Sequence, residues 1–116
     1  MNPSPPNLTT ITNQLTQHTQ SILGDRLRKI ILYGSYARGD YNKYSDLDIM
    51  VLADFHESEE SHLQKSINIL SSRTSLEHDI TVCMLLNNEN LFTNRLHISP
   101  FYRNVMSEGV EIYATR

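Results

Sequence analysis

Two short runs hold residues whose types and spacing could do chemistry together. Gly34-Ser35 lies in a small-residue turn, and Asp46 and Asp48 close the same stretch, Gly34-Ser-Tyr-Ala-Arg-Gly-Asp-Tyr-Asn-Lys-Tyr-Ser-Asp-Leu-Asp48. A strand ending at Gly34, with Ser35 opening a helix, aims free backbone N–H groups and a hydroxyl outward, a ready seat for phosphate. Gly34 allows close approach to the backbone, which any Cβ would hinder. Side chains two apart on a strand share a face, with Cα atoms roughly 6.5 Å apart. Asp46 and Asp48 can therefore converge on ions of the Mg²⁺ type, whose oxygen ligands lie at about 2.0–2.1 Å. Each run alone is ordinary: Gly-Ser turns are common, and a bare Asp-x-Asp is usually two solvated acids on an edge strand. Together they call for a substrate with a phosphate chain and bound divalent metal, a nucleoside triphosphate, and for transfer of a nucleotidyl group. The run is not a P-loop, since no Lys follows Gly39.

The elements that must position these residues follow from hydrophobic spacing. Met1–Pro6, with Pro3, Pro5 and Pro6, reads as a loose arm, and 7–116 as a single domain. Leu8, Ile11, Leu15, Ile22 and Leu23 recur near helical spacing, with Gly24 as a stop. Ile30–Tyr33 reads as a buried strand, followed by a short helix from Ser35 to Gly39. From Asp46 to Leu52 the pattern alternates, with Asp46, Asp48 and Met50 on one face and Leu47, Ile49 and Val51 on the other. Ser58–Arg73 reads as an amphipathic helix with Leu63, Ile67 and Leu70 inward. Asp79–Leu86 alternates again, placing Asp79, Thr81 and Cys83 opposite Ile80, Val82 and Met84. Leu91–Met106 is helical in two pieces broken at Pro100, and Val110–Tyr113 is a last strand. The expected fold class is α/β (α+β): a small mixed β-sheet with helices packed on one face, away from the acids.

Composition limits the function classes. The net charge of −3 and pI near 5.9 leave no broad basic footprint, so direct nucleic-acid binding is not expected. The lone Cys83 excludes an internal disulfide and suits a reducing cytoplasm. No basic-then-apolar leader opens the chain and no apolar run is long enough for a bilayer, so no membrane association is expected.

Gly34-Ser-Tyr-Ala-Arg-Gly39 and Ser45-Asp-Leu-Asp-Ile49 resemble the signature of the polymerase-β-like nucleotidyltransferase superfamily, and within it the minimal nucleotidyltransferase (MNT) branch. The resemblance implies that fold, and it implies that Gly34 and Ser35 bind the triphosphate of ATP while Asp46 and Asp48 hold two Mg²⁺ ions. It further implies a third acid on a neighbouring strand, matched by Asp79 in His78-Asp-Ile-Thr-Val82, as metal ligand and general base. Arg38 falls where the motif usually has Arg, and would pair with phosphate or with a nearby acid such as Asp40. Minimal members of this family are often antitoxins paired with a HEPN-domain ribonuclease toxin. The implied activity is transfer of AMP from ATP to a hydroxyl, a tyrosine of that toxin, in a type VII-like toxin–antitoxin pair forming a hetero-oligomer.

Two other functions fit the same residues: an antibiotic nucleotidyltransferase borrowing its acceptor site from a partner, and an antitoxin that masks the toxin by contact alone. Three clustered carboxylates count against masking, because without metal they only repel one another. Arg103 reads as a surface residue, the alternative being an approach to the triphosphate from the C-terminal helix, and Tyr36, Tyr41, Tyr44 and Tyr102 as packing residues able to stack on a base. The five histidines show no zinc-ligand spacing. Arg73 and His78 match the Arg-x4-His pattern of HEPN ribonucleases, but by coincidence, since the run is expected to straddle a helix end and a strand.

Overall fold

A computed structural model describes residues 7–115, so the expected arm at 1–6 lies outside the described residues. The elements run α1 (Leu8–Leu23), β1 (Leu27–Tyr33), α2 (Ser35–Arg38), β2 (Leu47–Ala53), α3 (Glu60–His78), β3 (Val82–Asn88), α4 (Glu89–Arg95), α5 (Pro100–Glu108) and β4 (Val110–Ala114). The four strands form one mixed sheet in the order β3-β2-β1-β4. β1 pairs antiparallel with β2 and with β4, whereas β2 and β3 run parallel, joined by the α3 crossover. This is the mixed α/β class expected from the sequence.

The alternation along β1 and β2 sorts the sheet into two faces. Ile30, Leu32, Ile49, Val51 and Ala53 point to one side, where Ile11 and Leu15 of α1 and Leu63, Ile67 and Leu70 of α3 meet them in the main core. α1 is capped by Asn7, whose side chain accepts from the Thr10 N–H at 3.1 Å. On the other side Ile31, Met50 and Leu52 are covered by Phe92 of α4 and Val105 of α5. The two long helices thus take the face expected of them, while two short helices share the acids' face and build a wall at its far end. As expected, the stretch at 91–106 is two helices, and Pro100 opens the second, α5. It follows Ser99, whose hydroxyl accepts from the Tyr102 N–H, and a proline at a helix start loses no intrahelical bond.

β3 is an edge strand, and polar side chains of α3 satisfy part of its backbone. Ser75 Oγ accepts from the Val82 N–H at 2.9 Å, Ser71 Oγ donates to the Val82 carbonyl, and Gln64 Oε1 accepts from the Leu86 N–H at 3.1 Å. These bonds fix where β3 begins. They also explain why α3 runs on past Arg73 to His78: Ser71 and Ser75 must reach the strand from a continuous helix. Arg73 and His78 therefore both lie on α3, not astride a helix end and a strand. Five residues apart on a helix, they point about 140° from one another, so the pattern does not converge.

One buried group in this core lacks a partner. Thr19 of α1 is fully buried, yet its hydroxyl makes no hydrogen bond among the described residues. An unsatisfied buried hydroxyl costs roughly 1–3 kcal/mol. The near-isosteric Thr19→Val substitution is expected to raise unfolding stability by about 1 kcal/mol, read as a higher urea midpoint at unchanged slope.

Candidate active site

The site assembles where β1 ends. Tyr33 pairs with Asp48 across the β1/β2 ladder, so the turn that follows Tyr33 lies beside the acid pair. Gly34 has φ 75° and ψ −156°, a conformation open essentially to glycine alone. A Cβ there would stand 2.5 Å from Asp48 Oδ2, so the carboxylate packs directly on the Gly34 backbone. Ser35 opens α2, whose first N–H groups have no intrahelical acceptor by helix geometry. The loop back to β2 is pinned locally: Ser45 Oγ accepts from the Asn42 N–H at 2.9 Å, and Asn42 Oδ1 from the Tyr44 N–H at 2.8 Å. Tyr36 is buried and stacks on Tyr41, with ring centroids 4.3 Å apart.

Asp46 precedes β2 and is exposed, whereas Asp48 on β2 is half-buried, and both face the side away from α1 and α3. Asp79 does not join them on the neighbouring strand as expected. It ends α3 in a left-handed conformation, φ 52° and ψ 46°, with its N–H bonded to the Ser75 carbonyl. Aspartate is among the few residues that adopt this conformation readily, and here it terminates the helix three residues before β3 starts. The β3 residue facing Asp48 is Cys83, whose Sγ lies 3.9 Å from Asp46 Oδ2. The alternation puts Asp79 and Cys83 on one face, and the family resemblance points to Asp79 as the third acid.

Charge in this corner is uncompensated. Burial, then the Asp46 charge, raises the Asp48 carboxyl above the usual carboxylate range, with Arg38 opposing. Burial and the same two acids push the Cys83 thiol up. The Tyr33 phenol is pushed up to about 12 by burial, then by Asp48 and Cys83, so it stays neutral at physiological pH. Arg38 spends its guanidinium elsewhere: Nε donates to Asp40 at 3.2 Å and Nη1 to Glu108 of α5 at 3.3 Å. Arg103 donates to the His97 carbonyl and takes no part.

Between the turn and α5 runs a cleft of about 370 Å³. Tyr33, the Gly34-Ser35 turn and Asp48 form one wall, and Phe101, Asn104 and Glu108 the other, with Arg38 bridging its mouth. Tyr33 and Phe101 meet edge-to-face across it, centroids 5.7 Å apart. Sequence reading weighed Tyr102 and Arg103 of this helix but missed Phe101, Asn104 and Glu108, because only the fold brings that face of α5 to the acids. Hard carboxylate oxygens that repel each other suit a divalent ion. Among the described residues, no three His, Cys, Asp or Glu side chains are gathered closely enough to hold a metal as they stand.

Two substitutions follow from this geometry. Gly34→Ala is expected to destabilise the fold by roughly 1–3 kcal/mol in thermal or chemical unfolding, through forced backbone geometry and the clash with Asp48. For Asp48, a carboxyl raised in the folded state favours folding while protonated and opposes it once ionised. Asp48→Asn should melt higher than the wild type at neutral pH. That advantage should shrink as pH falls through the carboxylate range and vanish below about 3, where the wild-type carboxyl is protonated in both states.

The model of the family described as the nucleotidyltransferase domain matches residues 14–110. A Methanocaldococcus jannaschii protein named "Putative protein adenylyltransferase MJ0604" is 35% identical over 88 residues, which span 76% of this chain and 80% of that relative. Among solved structures, a chain of a toxin–antitoxin crystal structure with AMP-PNP superposes with a TM-score of 0.56 at 20% identity, covering 90% of this chain and 74% of that one. A chain from the complex of a tri-AMPylated Shewanella oneidensis HEPN toxin with MNT antitoxin gives a TM-score of 0.53 at 18% identity, covering 92% and 72%. The structural likenesses establish a shared fold. With the family match over most of the sequence and a relative 35% identical across four-fifths of its own length, the chain belongs to the nucleotidyltransferase domain family.

Proposed function

We propose that this protein transfers AMP from ATP to a hydroxyl, that of a tyrosine on a partner HEPN-domain ribonuclease toxin, and so acts as the antitoxin of a toxin–antitoxin pair. The observation that carries this reading is the packing of the Asp48 carboxylate on the Gly34 backbone. The turn and Asp48 line one cleft, which supports reading the turn as a phosphate seat beside the acids. A relative named as a protein adenylyltransferase supports AMP transfer, and the fold shared with toxin–antitoxin complexes, one holding AMP-PNP and one a tri-AMPylated toxin, supports the partner.

In this reading the Ser35 hydroxyl and the N–H groups opening α2 take the phosphate chain, with Gly34 leaving room for it. Asp46 and Asp48 hold two divalent ions, Mg²⁺ in the family resemblance. Such metal, when bound, offsets charge on the triphosphate and eases deprotonation of the attacking hydroxyl. Arg38 gives up Asp40 or Glu108 for a phosphate oxygen, which opens the mouth of the cleft. Tyr33, neutral with a pKa of about 12, walls the cleft and moves no proton. The net charge of −3 fits a protein partner better than nucleic acid. Among the described residues no helix is long and apolar enough to cross a membrane.

One observation favours the second reading, an antitoxin that masks by contact alone: Cys83 stands where a third carboxylate was expected. The paired variant Asp46→Asn/Asp48→Asn separates the two. Removing like charges should leave the fold intact or firmer, and contact surfaces with it. Wild-type protein with ATP and a divalent metal is expected to add mass to the partner in steps of AMP, and the double variant to add none and give no lasting protection. Equal protection by both, with no mass change in either, would establish masking instead.

A further inference from the structure

We propose that Phe101 and Asn104 of α5 form the nucleobase subsite of the cleft, Phe101 stacking on the base and Asn104 bonding to its edge, so that α5 sets a preference for adenine. The inference rests on the reading of the cleft as a nucleotide site and assigns its specificity-determining residues.

The two walls of the cleft differ in chemistry. One carries the Gly34-Ser35 turn and Asp48; the other presents Phe101 and Asn104, neutral side chains three residues apart and so on one face of α5. Glu108, one turn further along that face, is engaged by Arg38 at 3.3 Å. Groups suited to phosphate thus gather on one side, and an apolar ring with a neutral amide faces them. A ligand with a charged chain at one end and a flat heteroaromatic ring at the other would fill both walls.

Two rings line the cleft. Tyr33 belongs to β1 and is partly buried on the sheet, whereas Phe101 is 44% exposed. Their contact is edge-to-face, with ring planes 84° apart, a geometry that leaves at least one face of Phe101 uncovered by Tyr33. The other aromatic candidates are engaged elsewhere. Tyr36 is buried and stacked on Tyr41, and Tyr102 packs on Phe92 and donates to Asn87 Oδ1 at 3.2 Å. Asn104 is exposed, and among the described residues its side-chain amide has no hydrogen-bond partner. Its acceptor and donor stand side by side, matching the N6 donor and N7 acceptor of adenine; on that edge guanine offers two acceptors, O6 and N7.

The test separates the base from the phosphates. The full-length protein would be titrated by calorimetry, at saturating Mg²⁺, with ATP, with GTP and with inorganic triphosphate. The wild type should bind ATP more tightly than either of the others. Phe101→Ala should weaken ATP binding about tenfold while leaving inorganic triphosphate unchanged, and Phe101→Tyr should restore it. Asn104→Ala should erode the ratio of ATP to GTP affinity, again with inorganic triphosphate unchanged. Circular dichroism would establish that each variant is folded. Unaltered ATP affinity in Phe101→Ala, equal losses for ATP and inorganic triphosphate, or an unchanged ATP-to-GTP ratio in Asn104→Ala would overturn the proposal while leaving the cleft as a nucleotide site. A wild type that binds neither ATP nor inorganic triphosphate would instead remove the nucleotide reading itself, and this subsite with it.

Discussion

The Tyr33–Asp48 pairing across β1 and β2 is the constraint on which the site depends. It brings the end of one central strand level with the start of the next, so that the turn after Tyr33 and the acids of β2 meet without any loop having to fold over. Gly34 then lets the Asp48 carboxylate lie on the backbone itself. A one-residue slip in this register would send Asp48 into the main core and bring Ile49 out beside the turn. Ile30, Leu32, Ile49 and Val51, all buried against α1 and α3, oppose that slip. The chemistry at one end of the sheet is thus held in register by apolar packing along its whole length.

A second constraint acts from the edge. β3 is an outer strand, and on its open side Gln64, Ser71 and Ser75 of α3 serve its backbone groups. This arrangement blunts an edge that could otherwise recruit another strand. It also sets which residue of β3 confronts Asp48. The same helix that hides the edge therefore selects a thiol instead of a carboxylate as the neighbour of the acid pair.

The electrostatics follow from these positions. Asp46, Asp48, Cys83 and Tyr33 share one corner, and each of the last three is held toward its neutral form by burial and by the neighbouring acids. The positive group within reach, Arg38, is divided between Asp40 and Glu108. By tying α2 to the end of α5, it closes the mouth of the cleft with an exposed ion pair, the kind worth little in water.

Local chemistry made much of this legible in the sequence. The turn, the acid pair, the strand alternation and the helix of Leu8–Leu23 depend on residues near one another in the chain, and period and residue type report them directly. Asp79 shows where that ends. Its alternation with Ile80 and Thr81 reads as strand, yet Asp79 also tolerates a left-handed helix cap, and the demand of β3 for polar partners on α3 decided between them. Likewise Pro100 signals only that a helix stops or starts there; packing of Phe92 and Val105 on Ile31, Met50 and Leu52 put both short helices on the acids' face. The sequence by itself determined that the Gly34-Ser35 turn and the Asp46/Asp48 pair lie close together in the chain at strand and turn spacing, because that is a matter of residue type and short spacing. Tertiary structure alone decided that Cys83 stands beside the acid pair and that α5 forms the far wall, because both depend on the register and packing of segments far apart in the chain.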